Sequence, residues 1–136
     1  MKSEDHIRSF NESLDVIKES IEKGIQKRQR SIGFCASTGA IDLFEIFLHN
    51  KQLLNPSSMI KHDWFSSERR INERLNFDFP KKNEIINLIL KIEAKRNILC
   101  YGKLQPEEYI EEEINDFFKL IKIFRDEGLD LREDKE

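Results

Sequence analysis

Residues 27–50, KRQRSIGFCASTGAIDLFEIFLHN, are the stretch that decides the fold class. If it folds as an α-helix, this stretch has apolar side chains around most of its circumference and not only along one stripe. A helix that is apolar on nearly all sides is usually central to a bundle. Its small residues are Gly33, Ala36, Ser37, Gly39 and Ala40. Because small side chains let a neighbouring helix approach closely, we predict a central helix from about Lys27 to Asn50.

The remaining chain supplies the helices that would surround this one. Apolar residues spaced by three and four predict amphipathic helices over about residues 3–23, 82–100 and 106–128. Residues 59–75 predict one helix or two short ones, and residues 76–80 a loop whose two Phe plug the core. Pro106 suits the first turn of a helix and Gly128 suits the position just after its end. The predicted fold is therefore all-α, an antiparallel four-to-five-helix bundle.

Length and composition agree with one helical domain. The chain has 136 residues, which fits a single domain over 1–136, with its core at about 5–125 and a frayed end at 129–136. Five Gly and three Pro are too few for the turns of a mostly β protein. We expect a cytoplasmic protein without a membrane span, because the N-terminus lacks the apolar core of a signal peptide.

The charge distribution limits the kind of ligand. The net charge is −3, so no overall positive field attracts nucleic acid. Residues 103–136 hold six Lys and Arg against twelve Asp and Glu, a net charge of −6. An anionic ligand would therefore need a local basic site in residues 1–102, which carry a net charge of +3. Cys35 and Cys100 lie in apolar stretches far from any histidine cluster, so we expect no metal and no cofactor.

Two features of the predicted helices depart from a plain apolar pattern. The central helix carries a polar strip, which either meets water or faces a polar pocket shared with another helix: Ser31, Thr38, Asp42, Glu45 and His49. The fourth helix places Arg96 in its core stripe, between Ile92 and Leu99. A buried unpaired guanidinium costs several kcal/mol, so Arg96 must reach water, pair with Asp42 or Glu45, or bind an anion.

The segment Arg96-Asn-Ile-Leu-Cys-Tyr-Gly102 resembles the signature of the HEPN superfamily. Proteins of this superfamily are four- or five-helix bundles with a motif often written Arg-Asn-x-x-x-His. Residues 28–45 also resemble the second helix of such bundles, which is rich in small residues, and the similarity spans about residues 5–125. The resemblance implies a homodimer whose two motifs lie near a shared cleft. The apolar central helix favours a homodimer independently, because a single bundle would leave part of that helix in water.

The resemblance also implies roles for individual residues. Arg96 matches the motif arginine, which contacts the scissile phosphate of RNA in active members, and Asn97 matches the residue that shapes the site. Tyr101 stands where the motif has its catalytic histidine. Lys103 stands where many active members have a tyrosine that partner nucleotidyltransferases modify. The candidate catalytic residues are therefore Arg96 and Tyr101, and the candidate ligand-binding residues are Arg96, Asn97, Asp42 and Glu45.

The tyrosine changes the chemistry that this motif can perform. RNA cleavage by the ribose 2′-hydroxyl needs a group that exchanges a proton near neutral pH, and tyrosine titrates near pH ~10. The sequence thus favours a dimeric binding module for a nucleotide or short RNA whose ribonuclease chemistry is weak or lost. Two alternatives remain: an active toxin-type endoribonuclease using Tyr101 or a remote histidine, and an adaptor that pairs with a nucleotidyltransferase. We interpret His62 as a cap or packing residue.

Overall fold

The computed structural model of the protein describes residues 2–133. Its regular elements are α1 (Ser3–Lys23), α2 (Gln29–Asn50), a 3₁₀ helix (His62–Ser66), α3 (Glu68–Arg74), α4 (Lys82–Tyr101) and α5 (Glu107–Asp126). Residues 2–133 contain no β-strand. The prediction of an all-α bundle is confirmed.

The second helix, α2, lies at the centre and packs against α1, α4 and α5. All of its large apolar side chains are buried except that of Phe34. By length and composition α2 could cross a membrane, but 78% of the apolar window is buried inside the bundle. Its apolar character is therefore accounted for by its central position.

Phenylalanine rings fill the half of the core around the C-terminal end of α2. The ring centroids of Phe47 and Phe124 lie 4.9 Å apart, and those of Phe44 and Phe79 lie 5.6 Å apart. Such tilted aromatic pairs add stability beyond the apolar area that they bury. Phe79 comes from the loop before α4 and is buried as expected, whereas Phe77 from the same loop is only partly buried.

Residues 51–61, which we call the strap, cover the side of α2 that the other helices leave open. Ile60 is buried against the core, and its backbone N–H donates a hydrogen bond to the Glu45 carboxylate. Phe65, just beyond the strap, packs on Phe44. Within one chain, the large apolar side chains of α2 are therefore covered except for that of Phe34, which is 49% exposed.

Glycines set the closest contacts between helices. A Cβ atom at Gly33 of α2 would lie 2.5 Å from Cβ of Leu99 on α4, so only glycine permits this approach. Gly24 ends α1 with a φ of +117°, a conformation that favours glycine.

The segment after α5 corrects one expectation. Leu129 and Leu131 are buried, and Asn11 of α1 donates a hydrogen bond from Nδ2 to the Leu131 carbonyl oxygen at 3.0 Å. Residues 129–133 are thus packed and not frayed, because two leucines and a side-chain amide hold them on α1. Residues 134–136 lie outside the described part of the chain.

Candidate functional site

Arg96 lies on the core side of α4, in line with the buried residues Ile85, Ile89 and Ile92. Its side chain is partly buried, and its Nε atom is buried without a hydrogen-bond partner in residues 2–133. Within the same residues, no carboxylate lies within 4.0 Å of its guanidinium group. Arg96 therefore carries a positive charge that no ion pair in the described chain balances.

Asp42 and Glu45, the acidic partners considered for Arg96, pair with histidines instead. Asp42 Oδ1 lies 2.7 Å from Nδ1 of His6 on α1, and Glu45 Oε2 lies 2.9 Å from Nε2 of His49. Glu45 also accepts the backbone N–H of Ile60. The expected grouping of Arg96 with Asp42 and Glu45 is thus not found, because these carboxylates face α1 and the strap and their hydrogen bonds are already made there.

The arginine site, which we define as Arg30, Arg96, Asn97 and Tyr101, lies where α2 begins and α4 ends. The Arg30 guanidinium lies 5.8 Å from the centroid of the Tyr101 ring, in a cation–π arrangement. Tyr101 is 71% exposed and Asn97, one helical turn before it, is also exposed. Three of the five sequence-predicted site residues, Arg96, Asn97 and Tyr101, therefore share one helix end, and the structure adds Arg30.

Cys100 lies between the two arginines of this site. Burial raises the pKa of the Cys100 thiol, the charges of Arg96 and Arg30 act to lower that pKa, and Glu113 and Glu93 act to raise it. Both guanidinium groups are therefore close enough to Cys100 to influence its ionisation. Arg30, like Arg96, has no carboxylate within 4.0 Å in the described residues.

Gln29 holds the backbone around the arginine site. Its Nε2 donates to the carbonyl oxygens of Leu99 at 3.3 Å and Lys103 at 3.0 Å, and its Oε1 accepts from the N–H of Gln105 at 2.8 Å. Gln26 adds a bond from Nε2 to the Gln105 carbonyl oxygen. These hydrogen bonds hold the α4–α5 connection against the start of α2, so the backbone next to the exposed side chains of the site is fixed in place.

The most deeply buried acidic residue near α4 does not supply a countercharge. Glu113 of α5 is fully buried, and both of its carboxyl oxygens lack a hydrogen-bond partner in the described chain. Burial raises the pKa of Glu113 to about 9, with Lys95 opposing the rise and Asp116 adding to it. Glu113 is therefore neutral at pH 7.

A second polar region, the histidine groove, lies between α1, α2 and the end of the strap. This groove has a volume of about 380 Å³, and His6, Asp42, Glu45, Ile60 and His62 are among the residues that line it. At its edge, Nδ1 of His62 lies 3.0 Å from Glu93 Oε1, and Ser37 Oγ donates to the same oxygen at 2.6 Å. Three of the five residues in the polar strip of α2, Thr38, Asp42 and Glu45, thus face a pocket shared with other elements, which was one of the two alternatives that the sequence left open.

Sequence reasoning missed His6, His62 and Glu93. His6 stands four residues before Phe10 on the apolar stripe of α1, and that spacing could have placed it in the interior. No periodicity marks His62, because the 3₁₀ helix that positions it is only five residues long. Its interpretation as a packing residue did not anticipate its pairing with Glu93.

No cluster of three or more His, Cys, Asp or Glu in residues 2–133 is arranged to hold a metal ion. Comparison of the chain with protein-family models, with curated proteins and with solved structures finds no match. The function must therefore be argued from the geometry of the two polar regions.

Proposed function

We propose that the protein is a HEPN-like binding module that holds the phosphate of a nucleotide or a short RNA at the arginine site. The observation that carries this proposal is the pair of arginines, Arg30 and Arg96, that flank Cys100 without an acidic partner in the described chain. A guanidinium group donates two parallel hydrogen bonds to phosphate, which makes arginine well suited to this ligand.

Neighbouring groups support a nucleotide over a bare phosphate. The exposed ring of Tyr101 offers a surface on which a base can stack, and stacking contributes about 1–3 kcal/mol per base. Asn97 offers an amide to the same ligand from one turn away. A tyrosine hydroxyl is a weak base at neutral pH, so the four residues of the arginine site would bind a phosphodiester without cleaving it efficiently.

The experiment is a titration of the protein with mononucleotides and with a four-nucleotide RNA, followed by calorimetry and by thermal unfolding. Wild type should bind and unfold at a higher temperature with ligand. Arg30→Gln and Arg96→Leu should each weaken binding at least about tenfold, the loss of one charge-assisted hydrogen bond. Arg69→Gln is the matched control, because Arg69 pairs with Glu73 on the exposed face of α3. A wild type that binds neither ligand, or equal losses in the Arg69 variant, would contradict the proposal.

We further propose that the protein works as a homodimer or against a partner such as a nucleotidyltransferase. Four of the large apolar side chains that are exposed belong to the first turns of α2, the end of α4 and the connection that follows α4: Phe34, Ile98, Tyr101 and Leu104. Exposed apolar residues gathered at one end are typical of a protein contact surface. Light scattering at micromolar concentration should give twice the chain mass of 16.2 kDa, and a monomer mass would leave only the partner form of this proposal.

A further inference from the structure

The wall of the histidine groove carries a negative charge. Its carboxylates are Glu12 of α1 and Asp42 and Glu45 of α2, and no lysine or arginine of residues 2–133 lines it. Three ionised carboxylates give a charge of −3, and protonation of both lining histidines, His6 and His62, would reduce it only to −1. The groove therefore attracts a cation whichever protonation states its histidines have.

The Asp42 carboxylate has one oxygen to offer to a ligand in this groove. Asp42 is 9% exposed, and its Oδ1 is held by Nδ1 of His6 at 2.7 Å. Its Oδ2 accepts no hydrogen bond from residues 2–133, although Asp42 lines the groove. Glu45 differs, because it accepts the N–H of Ile60 and lies 2.9 Å from Nε2 of His49. Since a nearly buried carboxylate oxygen without a partner is unfavourable, Oδ2 of Asp42 is a site for a donor from a ligand.

A second carboxylate lies at a defined distance from this oxygen. His6 of α1 faces Asp42 of α2, and further along the two helices Ser13 Oγ lies 3.4 Å from Thr38 Oγ1. Glu12, which is next to Ser13, is six residues from His6 on α1, and Thr38 is four residues from Asp42 on α2. At a rise of about 1.5 Å per residue, the carboxylates of Glu12 and Asp42 are separated by roughly 6–9 Å along the helices. The groove thus offers two negative groups at this spacing.

Exposed apolar side chains line the same groove. Phe34, one helical turn before Thr38, is 49% exposed, and Met59 of the strap is 58% exposed. A phenyl ring attracts an ammonium group that lies over its face, and a methionine side chain adapts to the shape of an apolar neighbour. The volume of about 380 Å³ lies at the lower end of the range for small-molecule sites, roughly 300–1,000 Å³. These features suit a small organic cation that has a methylene chain.

We propose that the histidine groove binds a linear aliphatic diamine, with one ammonium group on Asp42 Oδ2 and the other beside Glu12 and Phe34. Aliphatic amines titrate near pH ~10, so both ends of the molecule are positively charged at neutral pH. Diaminobutane and diaminopentane have the length to reach both carboxylates. None of the four residues of the arginine site lines the groove, so the diamine site is independent of the proposed nucleotide binding.

The test is isothermal titration calorimetry of the full chain with diaminobutane and diaminopentane, in physiological salt that screens loose attraction to the acidic surface. Butylamine is the control with a single amino group, and diaminoethane is the control that is too short to reach both carboxylates. Wild type should bind one molecule of either longer diamine per chain, at least about tenfold more tightly than it binds the two controls.

Three variants test the three contacts that the proposal names. Asp42→Asn keeps an oxygen that can accept the Nδ1 proton of His6, and it should weaken diamine binding at least about tenfold. Glu12→Gln changes an exposed carboxylate and should weaken binding about threefold. Phe34→Leu keeps an apolar side chain without a ring and should weaken binding about two- to fivefold.

Glu22→Gln is the matched control, because Glu22 is exposed on α1, carries the same charge as Glu12 and does not line the groove. It should bind diaminobutane like wild type, and thermal melts show which variants are folded. If Asp42→Asn does not fold, the exposed positions Glu12 and Phe34 still decide the outcome. The proposal would be overturned by a wild type that binds no diamine, by diamines that bind no more tightly than butylamine, or by a loss in Glu12→Gln no larger than that in Glu22→Gln.

Discussion

Arg96 and Glu113 are both ionisable residues in the interior of one bundle, and burial affects their charges differently. The guanidinium keeps its proton in proteins, so burial cannot neutralise Arg96. Burial favours the neutral form of the Glu113 carboxyl, because a buried charge is unfavourable, and this raises its pKa to about 9. At neutral pH Arg96 therefore keeps its charge without an ion pair in residues 2–133, and each of the two residues carries a prediction at the residue scale.

Replacing Arg96 by Leu should separate binding from stability. The variant removes a buried Nε that has no hydrogen-bond partner in the described part of the chain and adds an apolar member to the stripe of Ile85, Ile89 and Ile92. We expect the free energy of unfolding to stay the same or to rise by up to about 1.5–3 kcal/mol, while nucleotide binding disappears. Chemical denaturation with and without nucleotide measures both effects. A loss of stability of about 3–5 kcal/mol would instead indicate that Arg96 belongs to a buried ion pair.

Replacing Glu113 by Gln should remove part of the pH dependence of the free energy of unfolding. Because the pKa of Glu113 is raised from 4.5 to about 9 on folding, the folded state holds more protons than the unfolded state between these pH values. Stability from this group is therefore complete below pH 4.5 and falls as the pH rises, by at most about 1.4 kcal/mol per pH unit.

Glu113→Gln has no carboxyl group to ionise and should not lose stability in this way. We therefore expect its free energy of unfolding to exceed that of wild type by about 2–4 kcal/mol at pH 8 and to equal it near pH 4.5. Urea denaturation at several pH values gives the two curves. Glu111→Gln serves as the control, because Glu111 is exposed and lies on the same helix two residues before Glu113. Parallel curves for wild type and Glu113→Gln would show that the carboxyl is not protonated in the folded state.

At the residue scale, one kind of site residue could be predicted from the sequence and another could not. Arg96 was found because a charged side chain interrupts an apolar stripe of period 3.6, and a stripe can be seen in one helix alone. Arg30 and His62 were not found because each contacts a partner on another element. Arg30 lies over the ring of Tyr101, and His62 pairs with Glu93. No spacing along the chain encodes such pairs, since they exist only after α2, α4 and the 3₁₀ helix have met.

At the scale of elements, the contact between α2 and α4 depends on Gly33. Gly33→Ala would place a Cβ 2.5 Å from Cβ of Leu99, an atom next to the backbone that cannot rotate away. We expect a net loss of about 1–2 kcal/mol, because the cost of overpacking exceeds the gain in helix propensity.

Gly39→Ala is the matched control for this effect on the same helix. Its Cβ would meet Phe117 Cε1 at 2.9 Å, an atom at the outer part of a ring that can tilt. The melting temperature of Gly39→Ala should therefore lie above that of Gly33→Ala. Equal melting temperatures of the two variants would contradict this explanation, because they would mean that α4 moves away from the new Cβ as easily as the Phe117 ring tilts.

The elements themselves were largely predictable because each has its own apolar period or end signal. The predicted helices over residues 3–23 and 82–100 match α1 and α4 to within a residue, and Pro106 directly precedes the start of α5. The strap was not predicted, because residues 51–61 have no period and their path depends on Glu45 and the open side of α2. Because the strap was not part of the prediction, the sequence indicated a central helix that is partly uncovered.

For the whole molecule, the charge distribution predicts how binding responds to salt and ligand length. The chain has a net charge of −3, and the arginine site offers two guanidinium groups that form no ion pair with residues 2–133, not a wide basic face. Each phosphate contact with single-stranded RNA adds about 0.7 to the salt slope, so the logarithm of the binding constant should fall with a slope of about −1 to −2. RNA of four and of twenty nucleotides should bind with similar affinity per site. A slope steeper than about −4 would indicate a larger phosphate-binding surface than these arginines provide.

The central position of α2 has a consequence for how the protein is made. A ribosome adding about 5–20 residues per second needs roughly 3–10 s to go from Asn50, where α2 ends, to Tyr101, where α4 ends. During that interval the nascent chain has completed its most apolar helix and has only α1 to cover it. The strap emerges next, directly after α2, and can cover one side of it before α4 and α5 exist. The order of elements along the chain thus shortens the time for which a membrane-like helix is open to chaperones, membranes and other nascent chains.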